Sequence, residues 1–134
     1  MILVDTSVMI DWLKNIENPK TELFSKILLS SAPYALSVLT YQEVLQGARD
    51  NAEREKLKEY LSTQSIHYLP TELSFYDEAA KIYGLLRSKG KTVRSTIDLL
   101  IAVTAIHNEA KLLHNDRDFD VIASEVEELE IMGL

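Results

Sequence analysis

Four acidic residues stand where a predicted β-strand ends or a predicted α-helix begins. The first, Asp5, directly follows the apolar run Ile2-Leu3-Val4, whose lack of polar alternation is typical of a strand buried on both faces of a parallel sheet. The others are Glu43, Asp98 and Asp116. Helix capping explains each acid taken singly, and for Asp5 the sequence leaves that interpretation open. Carboxylates that converge would instead form a site for a cation or for chemistry.

The elements that carry these acids alternate along the chain. Short strands are predicted over residues 2–4, 34–39, 65–69, 111–115 and 129–132, with helical patterns between them. The segments Thr40-Tyr-Gln-Glu43 and Ser95-Thr-Ile-Asp98 both match the capping-box pattern, which predicts that Glu43 and Asp98 lie in the first turns of helices. The helix that follows Asp98 is apolar all round, so we expect it to be buried.

This alternation predicts parallel strands joined by right-handed crossovers, with helices on both faces of the sheet. We therefore expect a three-layer α/β/α sandwich around a central, mainly parallel sheet of four to five strands. In such a sheet the carboxyl ends of the strands and the amino ends of the helices share one edge, where ligands bind. The four acids are expected to meet at that edge, which independent capping does not explain.

Size and composition restrict the class of protein. The 134 residues fit one domain, predicted to span residues 1–134. The chain has no cysteine, which excludes disulfides and thiolate metal sites. Its net charge of −7 would repel a phosphate backbone, which argues against a simple nucleic-acid-binding module. The sequence shows neither a signal peptide nor an apolar run long enough to span a bilayer, so we expect no membrane association and a cytoplasmic location.

Four carboxylates at one edge predict a hard divalent cation, because crowded acids repel one another unless a positive charge compensates. An oxygen-only ligand set suits Mg²⁺, with Mn²⁺ as a substitute, and such ions complete their shell with substrate phosphate oxygens. This chemistry points to hydrolysis of a phosphodiester by a metal-activated water. Four basic residues are candidates for RNA contacts near the edge, although solubility alone also explains them: Lys89, Lys91, Arg94 and Arg117.

The motifs resemble a known family. The chain carries Val-Asp5-Thr-Ser, then Glu43 with Gly47 four residues on, then Asp98-Leu-Leu-Ile-Ala, then Asn115-Asp116-Arg-Asp118-Phe119. In this order and at these spacings the set resembles the PIN domain, and most closely the VapC toxins of prokaryotic toxin-antitoxin systems. The resemblance runs from residue 1 to the last predicted strand.

The resemblance implies roles for individual residues. The acids Asp5, Glu43, Asp98 and Asp116 would be the quartet that holds Mg²⁺, and Asp118 would be an additional ligand. Thr6 or Ser7 would orient the first acid or a bound water. This chain has His114 where the family usually carries Thr or Ser, so we expect His114 to be structural or to hydrogen-bond an acid.

The resemblance also implies an activity and partners. The chain would be a Mg²⁺-dependent endoribonuclease and a homodimer, blocked by a cognate VapB-type antitoxin whose C-terminal segment occupies the acidic groove. Apolar residues of the helical hairpin are candidates for that contact or for the dimer, although core packing explains them equally well: Leu23, Phe24, Leu57 and Tyr60.

Two other functions compete with this interpretation. The first is a non-catalytic PIN-fold module that binds RNA or protein, and the presence of all four acids argues against it. The second is a phosphotransfer enzyme with Asp5 as the nucleophile. Enzymes of that kind need a second Asp two residues later, or an acidic pair before the first Asp, whereas position 7 is Ser and residues 2–4 are apolar.

Overall fold

The chain folds around a small parallel sheet. The computed structural model describes residues 1–133, in which β1 (Ile2–Val4), β2 (Tyr34–Ser37), β3 (Ile66–His67) and β4 (Lys111–Leu113) form one sheet of order β3-β2-β1-β4. Every pairing in it is parallel. Where a fifth strand was predicted over residues 129–132, Ile131 makes one isolated parallel bridge to Leu112. Leu134, the last residue of the predicted domain, lies outside the described residues.

Helices cover both faces of this sheet. Leu3 faces one hydrophobic core and its neighbour Val4 faces the other, as expected from the alternation of side chains along a strand. The helices are α1 (Thr6–Leu13), α2 (Pro19–Ser30), α3 (Val38–Gln46), α4 (Asn51–Leu61), α5 (Leu73–Ser88), α6 (Thr96–His107) and α7 (Arg117–Glu125). Side chains of α1 to α4 pack on the Val4 face and those of α5 to α7 on the Leu3 face, which confirms the predicted three-layer sandwich. No helix within residues 1–133 has both the length and the apolar composition needed to cross a bilayer.

The boundary between β2 and α3 differs from the prediction. The strand ends at Ser37, whose hydroxyl caps α3 by accepting from the N–H of Leu39 at 3.1 Å. The predicted strand over 34–39 is therefore too long, because Val38 and Leu39 have strand-like side chains but lie in the first helical turn. The capping box at Thr40 was also wrong. Glu43 is the sixth residue of α3 and lies beyond its first turn.

Helix α6 is the buried helix that the sequence predicts. Six of its twelve residues are buried, and Ser95 caps it by accepting from the N–H of Ile97 at 3.1 Å. The second half of the predicted capping box is absent, because Asp98 makes no side-chain hydrogen bond within residues 1–133. Helix capping therefore does not account for Asp98.

Gly90 follows the C-terminal cap of α5. It has the left-handed backbone conformation that the sequence predicts, with φ of +72°. We expect Gly90→Ala to lower the free energy of unfolding by about 1 kcal/mol, because a Cβ is strained at positive φ. Gly84→Ala is the matched control. Gly84 lies inside α5, where an added Cβ meets nothing within 4 Å, and alanine should stabilise the helix. Urea titration of both variants measures the difference, and equal stabilisation by both would contradict the prediction.

Candidate metal centre

Three aspartates come close together at the carboxyl edge of the sheet. Asp98 lies in the first turn of α6, and Asp116 caps α7 by accepting from the N–H of Asp118 at 3.0 Å. Each of the three offers a carboxylate oxygen, and these oxygens lie within 4.8 Å of one another. Asp118 itself is only 6% exposed. An all-oxygen set at this spacing fits a hard divalent cation such as Mg²⁺ or Mn²⁺.

Asp5 caps a helix and also faces these acids. It follows β1, is 5% exposed, and its Oδ2 accepts from the backbone N–H of Ser7 at 3.0 Å and from the Ser7 hydroxyl at 2.6 Å. Burial raises the pKa of Asp5, and the hydrogen bonds from Ser7 oppose that rise. Both of these bonds go to Oδ2, so Ser7 fixes one oxygen of the carboxylate.

Glu43 reaches the same edge from α3. Its Oε1 accepts from the Thr6 hydroxyl at 2.7 Å, and the Thr6 oxygen lies 3.0 Å from the fully buried Thr40 hydroxyl. The resemblance assigned Thr6 or Ser7 to the first acid. The structure divides this task, since Ser7 holds Asp5 and Thr6 holds Glu43. Thr40 was not predicted, and the available signal was its position one helical turn before Glu43.

The electrostatics show that the acids surround Asp98. Burial is the largest cause that raises the pKa of Asp98 to about 7, and the negative charges nearby raise it further. Those charges belong to Asp5, Asp116, Asp118 and Glu43. The structure thus places Asp98, Asp116 and Asp118, all named from the sequence, within 4.8 Å of one another, and Asp5 and Glu43 lie close enough for their charges to act on Asp98. Acids held this close are destabilising without a cation, which is why the site fits one.

Ser7 links two strand ends at this site. Its hydroxyl donates to Asp5 after β1 and accepts from the backbone N–H of Asn115, just after β4, at 2.9 Å. We expect Ser7→Ala to weaken the binding of Mn²⁺ to these acids about tenfold, because the hydroxyl fixes the rotamer of Asp5. Isothermal titration calorimetry measures the affinity, with Ser88→Ala on the exposed end of α5 as the control. Unchanged affinity in Ser7→Ala would contradict this role.

The four basic candidates have different surroundings. Arg94 is at the acids, with Nε 3.0 Å from Asp118 Oδ2 and Nη2 3.5 Å from Asp116 Oδ1. Lys91 does not lie at the acids, because its Nζ forms an ion pair with Glu125 Oε1 at 2.7 Å, at the far end of α7. Lys89 lies near the same glutamate, whose pKa it helps to lower, so it also lies away from the acids.

Arg117 is the first residue of α7, and its exposed side chain borders a groove beside Asp116. Of the four basic candidates, Arg94 and Arg117 therefore lie at the site, whereas Lys89 and Lys91 do not.

His114 has a structural role next to the acids, which is one of the two roles expected for it from the sequence. It is 2% exposed, its ring lies 5.1 Å from that of Phe119, and its Nδ1 accepts from the backbone N–H of Asp116 at 3.1 Å. Burial lowers the pKa of His114, which favours the neutral ring. The bond to the Asp116 backbone orients the start of α7.

The apolar candidates for protein contacts divide into core and rim. Phe24 is fully buried, with Trp12 and Tyr34 packed edge-on at 5.3 Å each, so core packing, the alternative that the sequence left open, accounts for it. Leu23, Leu57 and Tyr60 are partly buried against the same core. Of these, Leu57 also lines a groove of about 690 Å³ between α1, α3 and α4, whose walls are both apolar and charged.

Comparisons with known proteins agree with this geometry. Residues 2–125 match the family model of the PIN domain. Ribonuclease VapC11 of Mycobacterium tuberculosis is 33% identical over 124 residues, which is 92% of both chains. Ribonuclease VapC51 of the same organism is 30% identical over 122 residues, covering 91% of this chain and 85% of the relative.

A solved structure shows the same fold. VapBC2 from Rickettsia felis, bound to a DNA fragment from its promoter, matches 100% of this chain and 99% of its own with a TM-score of 0.76 at 18% identity. That identity is low, so this likeness supports the fold alone. The family model and the ribonuclease relatives both cover more than nine-tenths of the sequence, and the chain belongs to the PIN domain family.

Proposed function

We propose that this chain is a metal-dependent endoribonuclease and the toxin of a VapBC-type toxin-antitoxin module, acting as a single domain over residues 1–134. The observation that supports it most is the cluster of Asp98, Asp116 and Asp118, whose carboxylate oxygens lie within 4.8 Å of one another. The relatives named ribonucleases share 33% and 30% identity with nearly the whole chain.

The proposed metal is Mg²⁺, with Mn²⁺ as a substitute. Asp5, Glu43, Asp98 and Asp116 would hold it, with Asp118 as an additional ligand. When bound, such an ion lowers the pKa of a water for attack on phosphorus and stabilises the leaving oxygen. The donors fit a hard cation because all are carboxylates and the described part of the site offers no sulfur ligand.

The other residues of the site position these acids. Ser7 fixes Asp5 and Thr6 fixes Glu43 through hydroxyl hydrogen bonds, and His114 orients the backbone of Asp116. Asp98 is restrained by the buried helix α6 and not by a hydrogen bond of its own. Fixed carboxylates bind a cation without a further loss of side-chain entropy, which favours a single productive geometry.

We also propose the partners that the family implies: an RNA substrate, a VapB-type antitoxin and a second copy of the chain, all in the cytoplasm. The relatives named Ribonuclease VapC11 and Ribonuclease VapC51, at 33% and 30% identity, support the RNA substrate and the VapB-type partner. The groove that Leu57 lines combines apolar and charged side chains, and such a groove can accept an amphipathic helix.

Cleavage of a panel of structured RNAs tests the proposed activity. We expect the purified protein to cut RNA internally with Mg²⁺ or Mn²⁺ and to be inactive in EDTA, with Asp5→Ala and Asp116→Ala both inactive. Equal cleavage by wild type and variants would reveal a contaminating nuclease. Tight RNA or protein binding without cleavage, from protein shown to be folded, would overturn the proposal in favour of the non-catalytic module.

A further inference from the structure

A groove of about 530 Å³ opens beside the acidic cluster. Three basic side chains line it: Lys20 near the start of α2, Arg94 before α6 and Arg117 at the start of α7. Asp116 lines the same groove, so whatever occupies it lies next to the proposed metal ligands. The groove is open to solvent along its length, which suits a chain that passes through it.

Two of these cations lack a protein counter-ion. Arg94 is held by Asp116 and Asp118, but neither Lys20 nor Arg117 has a carboxylate within 4.0 Å among residues 1–133. Lys20 is partly buried and lines the groove together with His114. Two such cations at one groove would bind an anion favourably.

A second carboxylate, Asp120, lines the groove at its rim. Its Oδ1 lies 3.2 Å from the buried Nε2 of His114. This carboxylate therefore lies against the histidine ring and forms no ion pair with Lys20 or Arg117.

We propose that this groove binds the phosphate backbone of single-stranded RNA beside the cleavage position, with Lys20 and Arg117 contacting the phosphate oxygens. This inference rests on the proposed nuclease function and specifies where its substrate runs. The RNA then passes between the starts of α2 and α7. It does not pass over Lys91, because Glu125 and Ser124 already hold that side chain. Lys20 was absent from the basic residues named from the sequence.

Equilibrium binding tests the path without cleavage. A fluorescein-labelled single-stranded RNA is titrated with the Asp98→Asn protein in EDTA at several KCl concentrations. In this background we expect Lys20→Gln and Arg117→Gln each to weaken binding about fivefold and to lower the slope of log K against log salt by about 0.7, as for one lost phosphate contact. Lys26→Gln, on the exposed face of the same α2, is the matched control and should change neither quantity.

The Lys91→Gln variant distinguishes an RNA path through the groove from a path over Lys91. Weaker binding by Lys91→Gln with no effect of Lys20→Gln and Arg117→Gln would overturn the groove while metal-dependent cleavage by the wild type still supported the nuclease. RNA binding by none of the proteins, together with no cleavage by the wild type, would overturn both proposals. Circular dichroism of each variant confirms that a loss of binding is not a loss of fold.

Discussion

With the proposed function, the Asp98→Asn variant is expected to cleave RNA at least about 1,000-fold more slowly than the wild type, because losing a ligand of the proposed metal removes several kcal/mol of transition-state stabilisation. Asp98 is the acid on which the charges of the other four converge, and it makes no hydrogen bond that asparagine would break. Asparagine has nearly the same shape, so the substitution removes the charge and leaves the packing of α6 unchanged. Single-turnover rates with saturating Mg²⁺ measure the loss.

The matched control for this experiment is Asp77→Asn. Asp77 lies exposed on α5, away from the acidic cluster, so its substitution changes the net charge by the same amount. Its cleavage rate should remain within about twofold of the wild type, since a distant surface charge acts only through the screened field of the protein. Similar losses in both variants would mean that net charge, and not the site, controls activity.

The Asp98→Asn substitution is also expected to stabilise the metal-free protein at neutral and alkaline pH. The pKa of Asp98 is about 7 in the folded chain against 3.8 for a free side chain, so between these values the folded state holds a proton that the unfolded state releases. The free energy of unfolding of the wild type therefore falls as pH rises from about 4 to 7. At pH 8 Asp98→Asn should be more stable by about 2 kcal/mol, roughly half the full shift because the side chain is partly exposed to water.

Urea titrations in EDTA between pH 4 and pH 8 measure this difference. The two proteins should have nearly equal stability near pH 4, where Asp98 is protonated in the folded state and roughly half protonated in the unfolded state, and diverge up to pH 7. If the free energies of unfolding of the two proteins changed in parallel over the whole pH range, this would contradict the crowding of the acids around Asp98.

Adding Mg²⁺ at pH 8 should reverse the order of stability. The cation binds the folded wild type and stabilises it in proportion to the logarithm of its concentration above the dissociation constant. Asp98→Asn lacks one ligand and should gain much less. A melting temperature that rises equally with Mg²⁺ in both proteins would place the cation elsewhere on the surface.

Several features of the fold were predictable because they depend on local patterns. The run before Asp5 is apolar without alternation, and only a central strand buries both faces in that way. The uniformly apolar sequence after Asp98 predicts a buried helix for the same reason. In a parallel sheet the carboxyl ends of the strands and the amino ends of the helices lie at one edge. The sequence therefore predicts that the acids lie near one another.

The remaining errors concern features that depend on particular side-chain contacts, several of them between residues far apart in the sequence. Val38 and Leu39 have strand propensity, but the hydroxyl of Ser37 caps a helix there, and this moved Glu43 out of the first turn. The pairing of Thr6 with Glu43 joins residues 37 positions apart, and no local pattern encodes it. Lys91 is close to the site in sequence, yet Glu125 holds it away.

The central pairing of β1 with β4 has a consequence for synthesis of the chain. Asp5 stands at the start of the sequence, but its backbone N–H donates to the carbonyl of Leu113 at 2.9 Å, and the cluster is completed only by Asp116 and Asp118. A nascent chain therefore has no complete set of acids until residues 116–118 have emerged from the ribosome. With the proposed site, a growing polypeptide cannot cut the messenger from which it is translated before that segment has folded against β1.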